Sequence, residues 1–321
     1  MFRFNHQNAY IYKKQILMVS AHLQTFLNKP VQDFQPSMVL DPEKYVYRLQ
    51  VSYDDEAVTI SDLLEALVRD PQVGNIKELI IGQFDSEVSE SSFEVVDKLV
   101  SLKHELKALK ALFIGEMTYD ECEISWINQT DITPILKAYP ELEHLQIRGG
   151  EGLSFSDLQH DHLTTLIIET GGMPPNVIEQ VNAARLPNLQ KLELWLGSDN
   201  YGFASKVEDF APILSGKQFP KLTHLGIMDS EIQDDIAIAA AQAPVLSQLK
   251  VLDLSKGVLT DKGGEALRDS AAIRTLQHLN LRHHFMSEDM MAQLKALHMS
   301  INLDDRQEED DQEYRFVEVA E

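Results

Sequence analysis

Leu249-Lys250-Val251-Leu252-Asp253-Leu254 is followed 27 residues later by Leu276-Gln277-His278-Leu279-Asn280-Leu281. Both stretches read apolar-x-x-apolar-x-apolar. Working towards the N-terminus, the pattern recurs as Leu222/Leu225/Ile227, Leu189/Leu192/Leu194 and Leu163/Leu166/Ile168. It continues as Leu142/Leu145/Ile147, Leu109/Leu112/Ile114 and Ile76/Leu79/Ile81. Successive third anchors stand 33, 33, 21, 26, 33, 27 and 27 residues apart. The last two anchors of each unit alternate with other residues, which turns both to one face of a short strand. The first anchor closes the turn into that strand. Helix-start signals lie between the strands: Thr260-Asp261-Lys262, Pro174-Pro175 and Ser287-Glu288-Asp289. One such unit cannot bury its own apolar face, whereas a stack of them can. The unit at Leu163 follows a spacing of only 21 residues, so a turn is expected there in place of a full helix.

Eight units of this length and pattern resemble ribonuclease-inhibitor-like leucine-rich repeats, over roughly Ile76 to Leu303. The resemblance implies an α/β leucine-rich-repeat solenoid, a horseshoe with a parallel β-sheet on the concave face and helices on the convex face. It implies little about function, because the scaffold serves many partners. There is one departure. Many such repeats carry Asn or Cys three residues after the last anchor, where it satisfies backbone groups of the turn. Here those positions hold Phe84, Met117, Gly150, Gly171, Gly197, Ser230, Gly257 and His284, so the turns must be satisfied another way. Glu121-Cys122-Glu123-Ile124-Ser125-Trp126-Ile127, Glu169-Thr170-Gly171-Gly172 and Leu192–Gly197 resemble a bacterial leucine-rich-repeat family without an assigned activity. So do Ser230-Glu231-Ile232 with Asp235-Ile236-Ala237, and Tyr314-Arg315-Phe316-Val317. That similarity implies a bacterial, cytoplasmic context.

The ends read as caps. Tyr45, Tyr47, Leu49 and Val51 alternate as in a strand, and Ile60, Leu63, Leu64 and Leu67 follow at helical spacing. The expected organisation is an N-terminal appendage of poor order over 1–19 and a degenerate first repeat acting as cap over 20–75. Repeats then fill 76–303. An acidic loop and a capping strand, expected to pair with the exposed sheet edge, occupy 304–321. Lys13 and Lys14 before Ile16–Val19 faintly resemble a signal peptide, but the apolar run is short and is soon interrupted by His22 and Gln24. Met18 is a candidate natural start. A single cysteine, Cys122, allows no intrachain disulfide, as expected in a reducing compartment, and no stretch reaches the length of a membrane span. A soluble, cytoplasmic protein is expected.

The chain has 51 Asp and Glu against 28 Lys and Arg, a formal charge of −23. Such a surface repels phosphate backbones and anionic lipid, so neither nucleic acid nor membrane is expected as a ligand. A protein partner with a basic surface is favoured. His144, His224 and His278 all precede a second anchor and should face the concave side. Strands about 4.8 Å apart hold neighbours among these three roughly 10–14 Å apart, too far to share zinc. His283-His284 and His160-x-His162 read as solvated turn residues. Gly149-Gly150-Glu151-Gly152 and Gly171-Gly172 lack the Lys of a phosphate loop and read as turns. Glu121 and Glu123 flank Cys122, which raises its thiol pKa and weakens it as a nucleophile. No catalytic residue, metal or cofactor is expected.

The surface that stands out is the concave face with its rim. Its outward columns supply Phe113, Gln146, Arg148, Glu169, Glu193 and Trp195, then Met228, Asp253, Asn280 and Arg282. Three spacings of 33 place extra residues in Gln83–Glu90, Glu116–Asn128 and Gly197–Lys206, all on one rim. These loops carry Phe84, Tyr119, Trp126, Tyr201 and Phe203. Trp195, an aromatic flanked by charge directly after a third anchor, has the composition of a binding hot spot. The leading expectation is a non-catalytic binding scaffold contacting its partner through these residues, with Trp126 and Tyr201 on the rim. The alternatives are an enzyme or enzyme subunit with a pocket near Cys122, Trp126 and Trp195, and a structural spacer with no dedicated ligand.

Overall fold

A computed structural model describes residues 19–52, 58–85, 90–309 and 314–321. The appendage expected before residue 19, the candidate start at Met18, and parts of the loops at 83–90 and 304–313 lie outside these residues.

The strands add to one sheet in the order of the chain. They are β1 (Thr25–Phe26), β2 (Lys29–Asp33), β3 (Val46–Leu49), β4 (Glu78–Ile81), β5 (Ala111–Ile114) and β6 (His144–Arg148). There follow β7 (Thr165–Glu169), β8 (Lys191–Gly197), β9 (His224–Ser230), β10 (Val251–Asp253), β11 (His278–Asn280) and β12 (Ile301–Asn302). Only β1 and β2 are antiparallel; every later pairing is parallel. The register puts Leu79, Leu112, Leu145, Leu166, Leu192, Leu225, Leu252 and Leu279 in one row. All eight are fully buried. Each such leucine adds about 1.5–3 kcal/mol relative to an exposed one, so the row is the spine of the core. The chain is an α/β leucine-rich-repeat solenoid.

Helices cover the other face of the sheet. Asp261–Asp269 and Glu288–Lys295 start where their caps dictate. Thr260 Oγ1 accepts from the Lys262 N–H, and Ser287 Oγ accepts from the Met290 N–H. Ile60–Leu67 buries Ile60, Leu63, Leu64 and Leu67 and starts from a capping box between Thr59 and Asp62. Between β6 and β7 the chain makes turns and no helix, as the short spacing implied. Among the described residues, no helix is long and apolar enough to cross a membrane.

Other side chains take the place of the absent Asn ladder. Gln129 donates to the Arg148 carbonyl at 2.7 Å, Gln233 to Ile227 at 3.0 Å and Thr170 to Trp195 at 2.9 Å. His160 and His284 serve the same purpose, which corrects the reading of His160, His283 and His284 as solvated. All three are buried, with ring nitrogens on backbone groups: His160 against Tyr139 and Leu163, His284 against Leu303 and Met286, His283 against Phe316. Burial holds all three below the usual histidine range. The glycine pair at 171–172 is a close backbone crossing. Gly172 bridges Gly197, and a Cβ on Gly172 would sit 2.0 Å from the Tyr201 carbonyl oxygen.

The closing segment is not a strand and does not pair with β12, contrary to expectation. Residues 314–321 instead run across the ends of the strands. The Glu318 N–H bonds the Lys256 carbonyl, the Val319 N–H bonds the Asp229 carboxylate, and Ala320 lies against Gly171. Val317, Val319 and Ala320 are buried there. Burying three apolar side chains over the strand ends stabilises this course, while Tyr314 and Arg315 stay exposed.

Candidate functional site

The outward columns of the sheet are arranged as the alternation required, but the chain covers much of them itself. Leu27 and Asn28, both at positive φ (47° and 68°), make the two-residue turn that folds β1 back over the concave face. This brings Phe26 onto Val46, Ile80, Ala111 and Phe113, a satellite core on the side expected to face solvent. Further back, the Val19 carbonyl accepts from Tyr119, and the Leu23 N–H donates to Glu116 at 2.8 Å. Glu116 is fully buried and accepts from Arg48 and lies 2.9 Å from His22.

Six of the expected contact residues are buried: Phe113, Gln146, Arg148, Glu169, Met228 and Asp253. Phe113 lies under Phe26, and the Arg148 guanidinium sits 5.2 Å from its ring centroid. Arg148 Nε donates to Glu169 at 2.7 Å and Nη1 to the Met117 carbonyl at 2.6 Å; Gln146 donates to the other Glu169 oxygen at 2.7 Å. A buried ion pair so bonded leaves no charge free to greet a partner. Gln146, Arg148, Glu169 and Met228 are all buried. These four and Phe113 belong to the interior of the solenoid rather than to an accessible contact surface.

At the other end of the sheet the closing segment fills the rim. Glu318 pairs with Lys256 at 2.9 Å and with Arg282, which also holds Asp305 at 2.6 Å. Lys256 lies 4.4 Å from the Trp195 ring centroid, and Trp195 is half-buried with that lysine over its ring. Its indole N–H is buried without a partner among the described residues. Tyr201 donates to Glu321 at 2.5 Å. Phe84 and Phe203 pack their loops onto the solenoid. Trp126 stays in solvent, 64% exposed.

Between these two covers Glu193 on β8, His224 on β9 and Asn280 on β11 are partly exposed. Glu193 lies 3.0 Å from Lys191 Nζ and 2.7 Å from His224 Nε2. Burial pushes its carboxyl up, but His224 and Lys191 outweigh that and hold it below the usual range. Asp253 is buried, accepting from the Ser255 N–H at 3.0 Å and from Asn280 at 2.8 Å. Cys122 is elsewhere and buried, its thiol pushed up to about 12 by burial and then by Glu123 and Glu121. The hollow beside it holds about 10 Å³ and is lined by neither tryptophan.

No family model matches the chain, and no curated protein matches it. Among solved structures, a Bacteroides fragilis protein determined by a structural genomics consortium is 34% identical, with a TM-score of 0.78 over 84% of this chain and 76% of that one. An internalin from Listeria monocytogenes aligns over 80% of this chain and 73% of its own, at 14% identity and a TM-score of 0.34. Identity of that first degree over most of both molecules makes the chain, itself a leucine-rich-repeat solenoid, a member of the family of the Bacteroides fragilis protein.

Proposed function

We propose that the chain is a non-catalytic protein-binding scaffold of bacterial, cytoplasmic context, built from repeats of the ribonuclease-inhibitor-like type. The observation that carries this reading is the chain's own closing segment. It lies on the strand ends, gripped through a main-chain bond at Glu318, the buried Asp229 carboxyl and a Lys256/Arg282 pincer. A surface that holds one polypeptide segment in this manner has the chemistry to recognise another. The contact surface of the proposal is the partly exposed stretch around Glu193 and Asn280 together with the rim at Trp126, Tyr201 and Trp195. The net charge of −23 favours a partner with a basic face and steers it electrostatically. A catalytic reading has less support, because Cys122 is buried with a raised thiol pKa.

The test is affinity capture from the bacterial host with wild-type protein and with Trp126→Ala, followed by association kinetics at increasing salt. A partner retained by the wild type and weakened by about 2 kcal/mol in the variant supports the rim. Its association should slow as salt rises, more than its dissociation quickens. No protein discriminating between wild type and variant would overturn the proposal.

A further inference from the structure

On the concave face, Glu193, His224 and Asp253 each offer one ligand atom, and the three atoms lie within 4.8 Å of one another. They come from three successive parallel strands. Glu193 on β8 and Asp253 on β10 flank Gly226 on β9 in one row, and His224 stands two residues earlier on β9. The absence of a side chain at Gly226 leaves the space between the carboxylates. A Cβ there would press on Glu193 Cγ at 2.8 Å. His224 Nε2 is buried and lies 2.7 Å from Glu193 Oε1, so an imidazole nitrogen and a carboxylate oxygen already face each other across the site.

We propose that Glu193, His224 and Asp253 form a binding site for a divalent transition metal of the zinc class. One imidazole and two carboxylates suit zinc, manganese or cobalt better than calcium or magnesium, which take oxygen alone. Ligand atoms must come within about 2.0–2.2 Å of the ion, so Glu193 and His224 separate slightly while Asp253 closes in. The sheet fixes the three Cα positions, leaving rotamer changes to do this. Asp253 is already oriented by Asn280 and the Ser255 N–H, as ligating carboxylates are. Three protein ligands leave coordination positions open to the concave side. Lys191, 3.0 Å from Glu193, neutralises the site without metal and is its competitor. Its side chain is partly exposed and free to swing away. The proposal does not depend on the scaffold reading, since it concerns the protein alone.

The test is titration of the whole chain with zinc by calorimetry and with cobalt by visible absorption. One-to-one binding is expected, with His224→Ala and Asp253→Asn each weakening it about tenfold or more. His278→Ala, in the same column but with its ring on Ser300 rather than on Glu193, should leave it unchanged. Lys191→Met should tighten it, an effect no merely structural role of Lys191 would produce. No saturable one-to-one binding, or binding that His224→Ala and Asp253→Asn leave intact, overturns the site.

Discussion

Phe26 stacks over Phe113, with ring centroids 6.3 Å apart and planes inclined by 29°. One residue precedes the repeats and the other sits in the middle of a repeat strand, so this pair fastens the N-terminal hairpin to the concave face. Phe26→Ala should destabilise the protein by about 3–5 kcal/mol, the usual cost of emptying a buried aromatic site. Urea unfolding measures this, and a loss below about 1 kcal/mol would mean that the hairpin does not hold the face in solution.

The same hairpin reaches His144, whose ring meets the edge of Phe26 at 5.2 Å. Burial pushes His144 down to about 4. Its folded pKa is thus below the unfolded value, so the unfolded chain takes the proton first. The stability that neutral His144 contributes is present above about pH 6.5 and is lost as pH falls towards 4, up to about 3 kcal/mol. Proton NMR should place its titration near 4 in the wild type and nearer 6.5 in Phe26→Ala. An unchanged midpoint in the variant would dissociate His144 from the hairpin.

Leu225 lies in the row of central anchors, between Leu192 and Leu252, with no exposure. Leu225→Ala should cost about 2–5 kcal/mol, because flanking repeats cannot collapse into the gap without breaking register. Chemical denaturation checks it.

The repeat strands, their register and the missing helix after β6 were all legible in the sequence, because an apolar-x-x-apolar-x-apolar unit has one way to bury itself. The covering of the concave face was not read, though a signal for it exists. Leu79-Ile80-Ile81, Leu112-Phe113-Ile114 and Leu166-Ile167-Ile168 do not alternate, and a strand apolar at consecutive positions is buried on both faces. Their middle residues are the ones found buried. The environment of His224 was hidden for another reason. Comparing histidines within one column gave separations too large for a metal, whereas its neighbours, Glu193 and Asp253, belong to the adjacent column on the flanking strands. The closing segment alternates like a strand, so its lateral course, fixed by Lys256, Arg282 and Asp229 from three separate repeats, depends on tertiary proximity alone.

Asp229 gives that closing segment its most unusual anchor. It is fully buried at φ 57°, its Oδ1 accepts from the Val319 N–H at 2.9 Å, and its Oδ2 has no partner among the described residues. Burial drives its carboxyl well above the ordinary range, outweighing the pull of Lys256. A raised folded pKa means that the native state holds a proton the unfolded chain has already released. The cost of doing so therefore grows as pH rises above about 4. Asp229→Asn keeps the acceptor for Val319, removes the titration and tolerates the left-handed backbone. The variant should be more stable than wild type by about 1–2 kcal/mol at pH 8, with the gain shrinking at pH 5. Paired urea melts at the two pH values decide the matter. A variant less stable by the same amount at both would show Asp229 to be an ionised partner of Lys256, and the segment to be held by charge rather than by a neutral carboxyl.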